Sequence, residues 1–148
     1  MITYVPESEQ FMTKILAIDP GDRHVGTALS DAMRFFANPY ETTTAQNLIP
    51  FLTKIIAQEK IETIVIGYPK TLKNTESQQT LKIKILYDQL VEFFPQVKFV
   101  LWDERLTSKS AAKYVNSRDK IDKLRAHSIA AAIILETYLD HLRFLNEA

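Results

Sequence analysis

Lys14-Ile15-Leu16-Ala17-Ile18-Asp19-Pro20-Gly21-Asp22-Arg23-His24-Val25-Gly26-Thr27-Ala28-Leu29-Ser30 is the stretch on which the reading of the fold turns. Lys14–Asp19 is a short, continuous apolar run stopped by Pro20-Gly21, the pattern of a central strand buried on both faces. A turn of Pro, Gly, Asp and Arg leads into Val25–Ser30, and two such runs across a polar turn make a hairpin. Beyond it, Phe35-Phe36-Ala37 and Tyr40–Thr43 predict a third strand, interrupted at Asn38-Pro39. The period then changes: Leu48, Phe51, Leu52, Ile55 and Ile56 recur at three- and four-residue spacing, which gives an amphipathic helix.

Glu62–Tyr68 reads as a second buried strand, ended by Pro69. Thr75 and Gln78 are spaced as a capping box, ahead of a helix face of Ile83, Leu86, Leu90, Phe93 and Phe94. Val97–Trp102 makes the last strand. Thr107 or Ser108 caps a short helix through Tyr114, and a final helix runs from about Lys123 to Leu145. Strands that alternate with helices imply parallel pairing through crossovers, here beside an antiparallel hairpin. The expected fold is α/β: a mixed five-stranded sheet with helices on both faces. Residues 1–12 are expected to be an N-terminal tail or extension, and 13–148 a single domain.

Composition narrows the function classes. The 148 residues hold 18 Lys plus Arg against 18 Asp plus Glu and no cysteine. That excludes a disulfide framework, a thiolate zinc site and a cysteine nucleophile. No apolar run approaches the ~20 residues of a membrane span and no secretory signal is visible, so a soluble cytoplasmic protein is expected. Zero net charge argues against a generic nucleic-acid coat, but the charge is unevenly spread. Arg105, Lys109, Lys113, Arg118, Lys120, Lys123 and Arg125 face only Asp119 and Asp122 in their stretch; Lys70, Lys73, Lys82 and Lys84 face only Glu76. Both basic stretches follow strands. With Arg23, the residues Lys70, Lys73, Arg105, Lys109, Lys113, Arg118, Lys120 and Lys123 are the candidates for holding a phosphodiester backbone.

Ligands of such sheets gather at the carboxyl ends of the parallel strands. Asp19 closes one strand, where it either begins the turn or serves as an oxygen ligand for a hard cation. Asp103 and Glu104 close another. Consecutive strand residues face opposite ways, so only one of them joins Asp19, and periodicity leaves both open. His127 shares a helix face with Ala131, Ile134 and Tyr138, which fits a hydrogen-bonded core residue as well as a ligand. Ser128 beside it is a candidate cap.

Four segments, in this order, resemble the YqgF family. Ile18-Asp19-Pro20-Gly21, with Arg23, Val25-Gly26 and Ala28-Leu29-Ser30-Asp31, looks like its opening motif. Ile64-Val65-Ile66-Gly67-Tyr68-Pro69 with Asn74-Thr75-Glu76 resembles the second, and Asp103-Glu104-Arg105-Leu106-Thr107-Ser108 the third. Ala130 to Leu139 is similar to its closing helix. The resemblance implies a ribonuclease H-like fold related to RuvC-type resolvases. It also implies a Mg²⁺- or Mn²⁺-dependent nuclease that matures the 5′ end of pre-16S rRNA, or acts on branched DNA as a Holliday-junction resolvase. Asp19 and Glu104 become the metal carboxylates. Where the family carries an Asp before the Ala-rich run, this chain has His127, which the resemblance makes a metal ligand or a proton carrier. The same departure supports a rival: a catalytically inactive relative that binds RNA or the ribosome. A sugar-kinase or actin-like ATPase also opens with strand–Asp–x–Gly. It needs a second phosphate-binding half, which three glycines (21, 26, 67) do not supply. Resolution of two strands requires a homodimer, whereas end trimming is open to a monomer. No membrane partner is expected.

Overall fold

Side chains alternate across a strand, and that alternation sorts the apolar residues of β1 (Lys14–Pro20) between two cores. In the computed structural model, which describes residues 13–68, 78–103 and 120–147, Leu16 and Ile18 face one side and Ile15 and Ala17 the other. β1 is the middle of five strands, with β2 (His24–Ser30), β3 (Ala37–Thr44), β4 (Ile61–Tyr68) and β5 (Lys98–Asp103). Their order across the sheet is β3-β2-β1-β4-β5. The β1–β2 and β2–β3 pairs are antiparallel, while β4 runs parallel to both β1 and β5. The expected mixed sheet is therefore present.

Among the described residues three α-helices cover it. α1 (Leu48–Glu59) and α2 (Gln78–Phe93) are the crossovers into β4 and β5, and both pack on the face that carries Leu16, Ile18, Ile64 and Ile66. Leu52, Ile83 and Leu90 are their buried anchors, each contributing about 1.5–3 kcal/mol by leaving water. α1 stops at Lys60, whose left-handed conformation (φ 53°) turns the chain while its N–H bonds the Ile56 carbonyl. α3 (Lys120–Glu147) lies on the opposite face, where Ala131, Ile134, Leu135 and Tyr138 meet Ile15, Ala17, Ala28 and Val65. Among the described residues no helix is long and apolar enough to cross a membrane.

Two expectations need correction. The third strand is not interrupted at Asn38-Pro39 but continuous over Ala37–Thr44. β3 is an edge strand, so the N–H that Pro39 lacks costs no ladder bond on its open side. The register slips between Gly26 and Ala28, and the Thr27 hydroxyl fills the gap: it accepts from Glu41 N–H at 3.0 Å and also bonds the Glu41 carbonyl. Phe35 and Phe36 belong to the preceding loop, with both N–H groups bound to Asp31 Oδ1 at 2.9 and 2.8 Å. Phe93, expected on the buried face of α2, is exposed; Phe94, just past the helix end, takes the core position. The cap at Thr75, the helix at 107–114 and the tail at 1–12 lie outside the described residues.

Two side-chain bonds hold α3 across the sheet. Trp102 Nε1 donates to Thr137 Oγ1 at 2.8 Å, with its ring edge-on to Tyr138 at 5.2 Å. On the far side, Thr42 Oγ1 donates to the Leu124 carbonyl at 2.7 Å. Between them the helix backbone comes down onto Gly26, where an added β-carbon would stand 1.9 Å from the His127 carbonyl oxygen and 2.1 Å from its carbon. Both groups are backbone, so neither can rotate away. Gly26→Ala is therefore expected to push the first turns of α3 off β2 and cost about 3 kcal/mol. Thermal unfolding would read this as a loss of roughly 6–12 °C in Tm; an unchanged Tm would refute the close approach.

Candidate active site

The carboxyl ends of β1, β4 and β5 lie at one end of the sheet because these strands are parallel. Asp19 is there, two residues past Ala17, and so on the face that α3 covers. It is paired with Gly26 of β2. The turn between them is closed by Gly21 N–H donating to the His24 carbonyl at 2.9 Å. A β-carbon at Gly21 would stand 2.7 Å from that oxygen, so glycine is needed for the tight return. Asp22 in the turn meets Lys82 of α2 at 3.2 Å, an exposed pair of small energetic worth.

α3 brings His127 to the same place. Ala131, Ile134 and Tyr138 are buried against the sheet, and one turn ahead of them the backbone of His127 rests on Gly26, the partner of Asp19. The His127 side chain is half-buried. Its ring centre is 5.5 Å from that of His24, with the planes inclined by 31°. Burial pushes the His127 pKa below its ordinary value of 6.5, and the neighbouring His24 pushes it the same way. The imidazole is thus neutral at pH 7, the state in which its ring offers a lone pair to a metal or a proton. Ser128 is not a cap: it lies inside α3, and its hydroxyl donates to the Arg125 carbonyl at 3.0 Å.

The structure thus brings Asp19 and His127 to one face at one end of the sheet. Asp103 is excluded from that group by parity. It follows Phe99 and Leu101, which pack on the α1–α2 side, whereas Val100 and Trp102 pack against α3. Arg23 is exposed in the β1–β2 turn and Lys123 on α3; Lys120 is the first residue of that helix. Glu104, Lys70, Lys73, Arg105, Lys109, Lys113 and Arg118 lie outside the described residues. Among the described residues, no three His, Asp or Glu side chains converge closely enough to hold a metal. Sequence reasoning gave no role to His24. Its signal was the hairpin itself: two residues before Gly26, it occupies the same face of β2 as the residue opposite Asp19.

Comparisons with known proteins bear on the family and the fold. Residues 13–141 match the family model described as RuvX, Holliday junction resolvase. A protein of Phocaeicola vulgatus is 32% identical over 139 residues, covering 90% of this chain and 100% of its own. One from Sulfurihydrogenibium sp. is 36% identical, covering 93% and 97%. Both carry the provisional name pre-16S rRNA nuclease. Among solved structures, Thermus thermophilus RuvC in complex with a Holliday junction substrate superposes with a TM-score of 0.57 at 13% identity, over 89% of this chain and 96% of that one. At that identity the likeness speaks for the fold alone, which is ribonuclease H-like. With one family model spanning nearly all of the described fold and relatives matched over almost their full length, the chain belongs to the RuvX (YqgF) family.

Proposed function

We propose that this protein is a divalent-metal-dependent nuclease that hydrolyses phosphodiester bonds in the 5′-end maturation of pre-16S rRNA, in the cytoplasm. The observation that carries the reading is the meeting of Asp19 and His127 at the carboxyl end of the parallel strands, in a chain whose relatives bear the name of that activity. The donor chemistry fits Mg²⁺ or Mn²⁺: carboxylate oxygen from Asp19 and from Glu104, and a neutral ring nitrogen from His127. Asp103 faces the other side of the sheet, which leaves Glu104 as the second carboxylate. A divalent ion bound there supplies a water of lowered pKa and charge stabilisation at the leaving oxygen.

The chain's own groups do the rest. Asp19, at the end of β1, would supply one oxygen donor to the divalent ion. His127, neutral and half-buried, completes the donor set or takes a proton from the attacking water. Arg23 and Lys123, exposed at this end, hold phosphates with Lys70, Lys73, Arg105, Lys109, Lys113, Arg118 and Lys120. Such contacts position the polymer without reading its sequence. Zero net charge over the whole chain then means modest, salt-sensitive affinity for arbitrary nucleic acid and reliance on a particular end or structure.

A second reading, cleavage of branched DNA by a homodimer, is favoured by the description of the matching family model. Side-by-side cleavage of pre-16S 5′ ends and four-way junctions, with mass measured in solution, separates the two. Preferred trimming of the RNA end supports the proposal; preferred symmetric cutting of junctions by a dimer supports the alternative. Asp19→Asn and Glu104→Gln are each expected to lower cleavage by more than about 100-fold, beyond the cost of losing an outer-shell partner. Unchanged cleavage in either variant would remove that residue from the site, and RNA binding without cleavage in the wild type would show the inactive relative.

The neutral state of His127 has its own signature. Its folded pKa lies below the unfolded value near 6.5, so between the two the unfolded chain binds the extra proton. Stability is then full above pH ~6.5 and falls as pH drops through the folded value. Tm is expected to fall as pH is lowered through that window, and His127→Gln to flatten the dependence. Equal slopes in the two proteins would show that His127 is not held neutral.

A further inference from the structure

His24 was not part of the proposed donor set, yet among the described residues its ring is the one that packs beside that of His127. The pair is built by the backbone. Gly26 lets the carbonyl of His127 rest on β2, and His24 is two residues away on the same strand face. The rings consequently face each other across the seam between hairpin and helix, 5.5 Å apart and inclined by 31°. Both side chains are half-buried, and the described residues show no hydrogen bond to either imidazole.

We infer that His24 and His127 form a two-imidazole clip that takes a borderline-soft divalent transition metal, of the Zn²⁺ or Co²⁺ class. Two imidazoles that share one ion at about 2.0–2.1 Å per nitrogen hold their ring centres roughly 5–5.5 Å apart, and the observed separation lies at that value. The ligand type sets the preference. Imidazole suits Zn²⁺ and its transition-metal neighbours, whereas Mg²⁺ takes oxygen donors and keeps its water. Two imidazole rings at one seam therefore give this end of the sheet an affinity that a carboxylate-only site lacks.

The inference rests on the proposed function only for the place of the site, and the two can fail separately. The chain has three histidines, and the third, His141, packs against Trp102 at 5.1 Å, which makes it an internal control. With the full chain, Zn²⁺ titration followed by NMR is expected to shift the ring C–H signals of His24 and His127 together at one equivalent, leaving His141 in place. Co²⁺ titration followed by its visible ligand-field absorption is expected to give a dissociation constant at least 10-fold below that of Mg²⁺ measured by calorimetry. His24→Gln should weaken Co²⁺ about 10-fold and leave Mg²⁺ binding unchanged. Signals of His24 and His127 that do not move together, an equal response of His141, or unaltered Co²⁺ affinity in His24→Gln would each overturn the clip. If instead Asp19→Asn leaves cleavage intact, the nuclease reading fails whatever Co²⁺ does.

Discussion

A bare patch of strand backbone at Gly26 carries the rest of this structure. Helices normally ride on a sheet at a distance set by interposed side chains, roughly 10 Å between axis and sheet. Here the absence of one β-carbon lets the carbonyl of His127 touch the strand itself. The contact lies opposite Asp19 in the hairpin register. One missing methyl group therefore fixes the height of a long helix and sets the backbone of His127 on the residue that pairs with Asp19. The ties at Thr42–Leu124 and Trp102–Thr137 lie on either side of that contact and keep α3 from pivoting about it.

The two faces of the sheet divide the work. Under α1 and α2 the core is built from Leu, Ile and Phe, with Leu52, Ile64, Ile66 and Leu90 fully buried. This face contributes most of the apolar burial and has no need of polar groups. Under α3 the packing uses Ala17, Ala28, Ala131 and Ala132, small residues that bury less area each but let helix and sheet approach closely. Small residues cost stability relative to large ones, and the large core on the opposite face offsets that cost.

How much of this was legible follows from where each signal originates. β1 and β4 were readable because a strand buried on both faces is apolar without a break, and α1 because its stripe has the helical period. β3 was legible at Tyr40–Thr43 but not its continuity: Asn38-Pro39 is poor strand sequence, tolerated at an edge and beside the Thr27 hydroxyl that patches the slipped ladder. Phe93 and Phe94 are adjacent and equally apolar, and only the end of α2 decides which of them is buried. Asp103 against Glu104 was undecidable by period, since a strand's phase is set by its neighbours. The packing of Trp102 against α3 supplies that phase for β5. His127 was legible as a departure from a family pattern, but its pairing with His24 is tertiary. It depends on a glycine whose importance is the absence of an atom, a feature that periodicity and propensity do not register.

Replacing an acidic position by a neutral imidazole alters the electrostatics of the proposed site in a definite sense. A carboxylate there would add one negative charge, strengthening the hold on Mg²⁺ and opposing the approach of a polyanion. A half-buried neutral ring does neither. The attraction for a hard cation then falls on the remaining carboxylates, while the barrier to a phosphodiester backbone is lowered by the same missing charge. With basic residues concentrated after β4 and β5 and an overall charge of zero, the proposed site would favour an ion that is held best once substrate phosphates share its coordination over a tight resident metal. That is the usual position of Mg²⁺ in phosphoryl chemistry, where one or two protein carboxylates and the substrate together complete the shell. A charge-neutral His127 is thus compatible with catalysis when substrate oxygens supply what the missing carboxylate would have given.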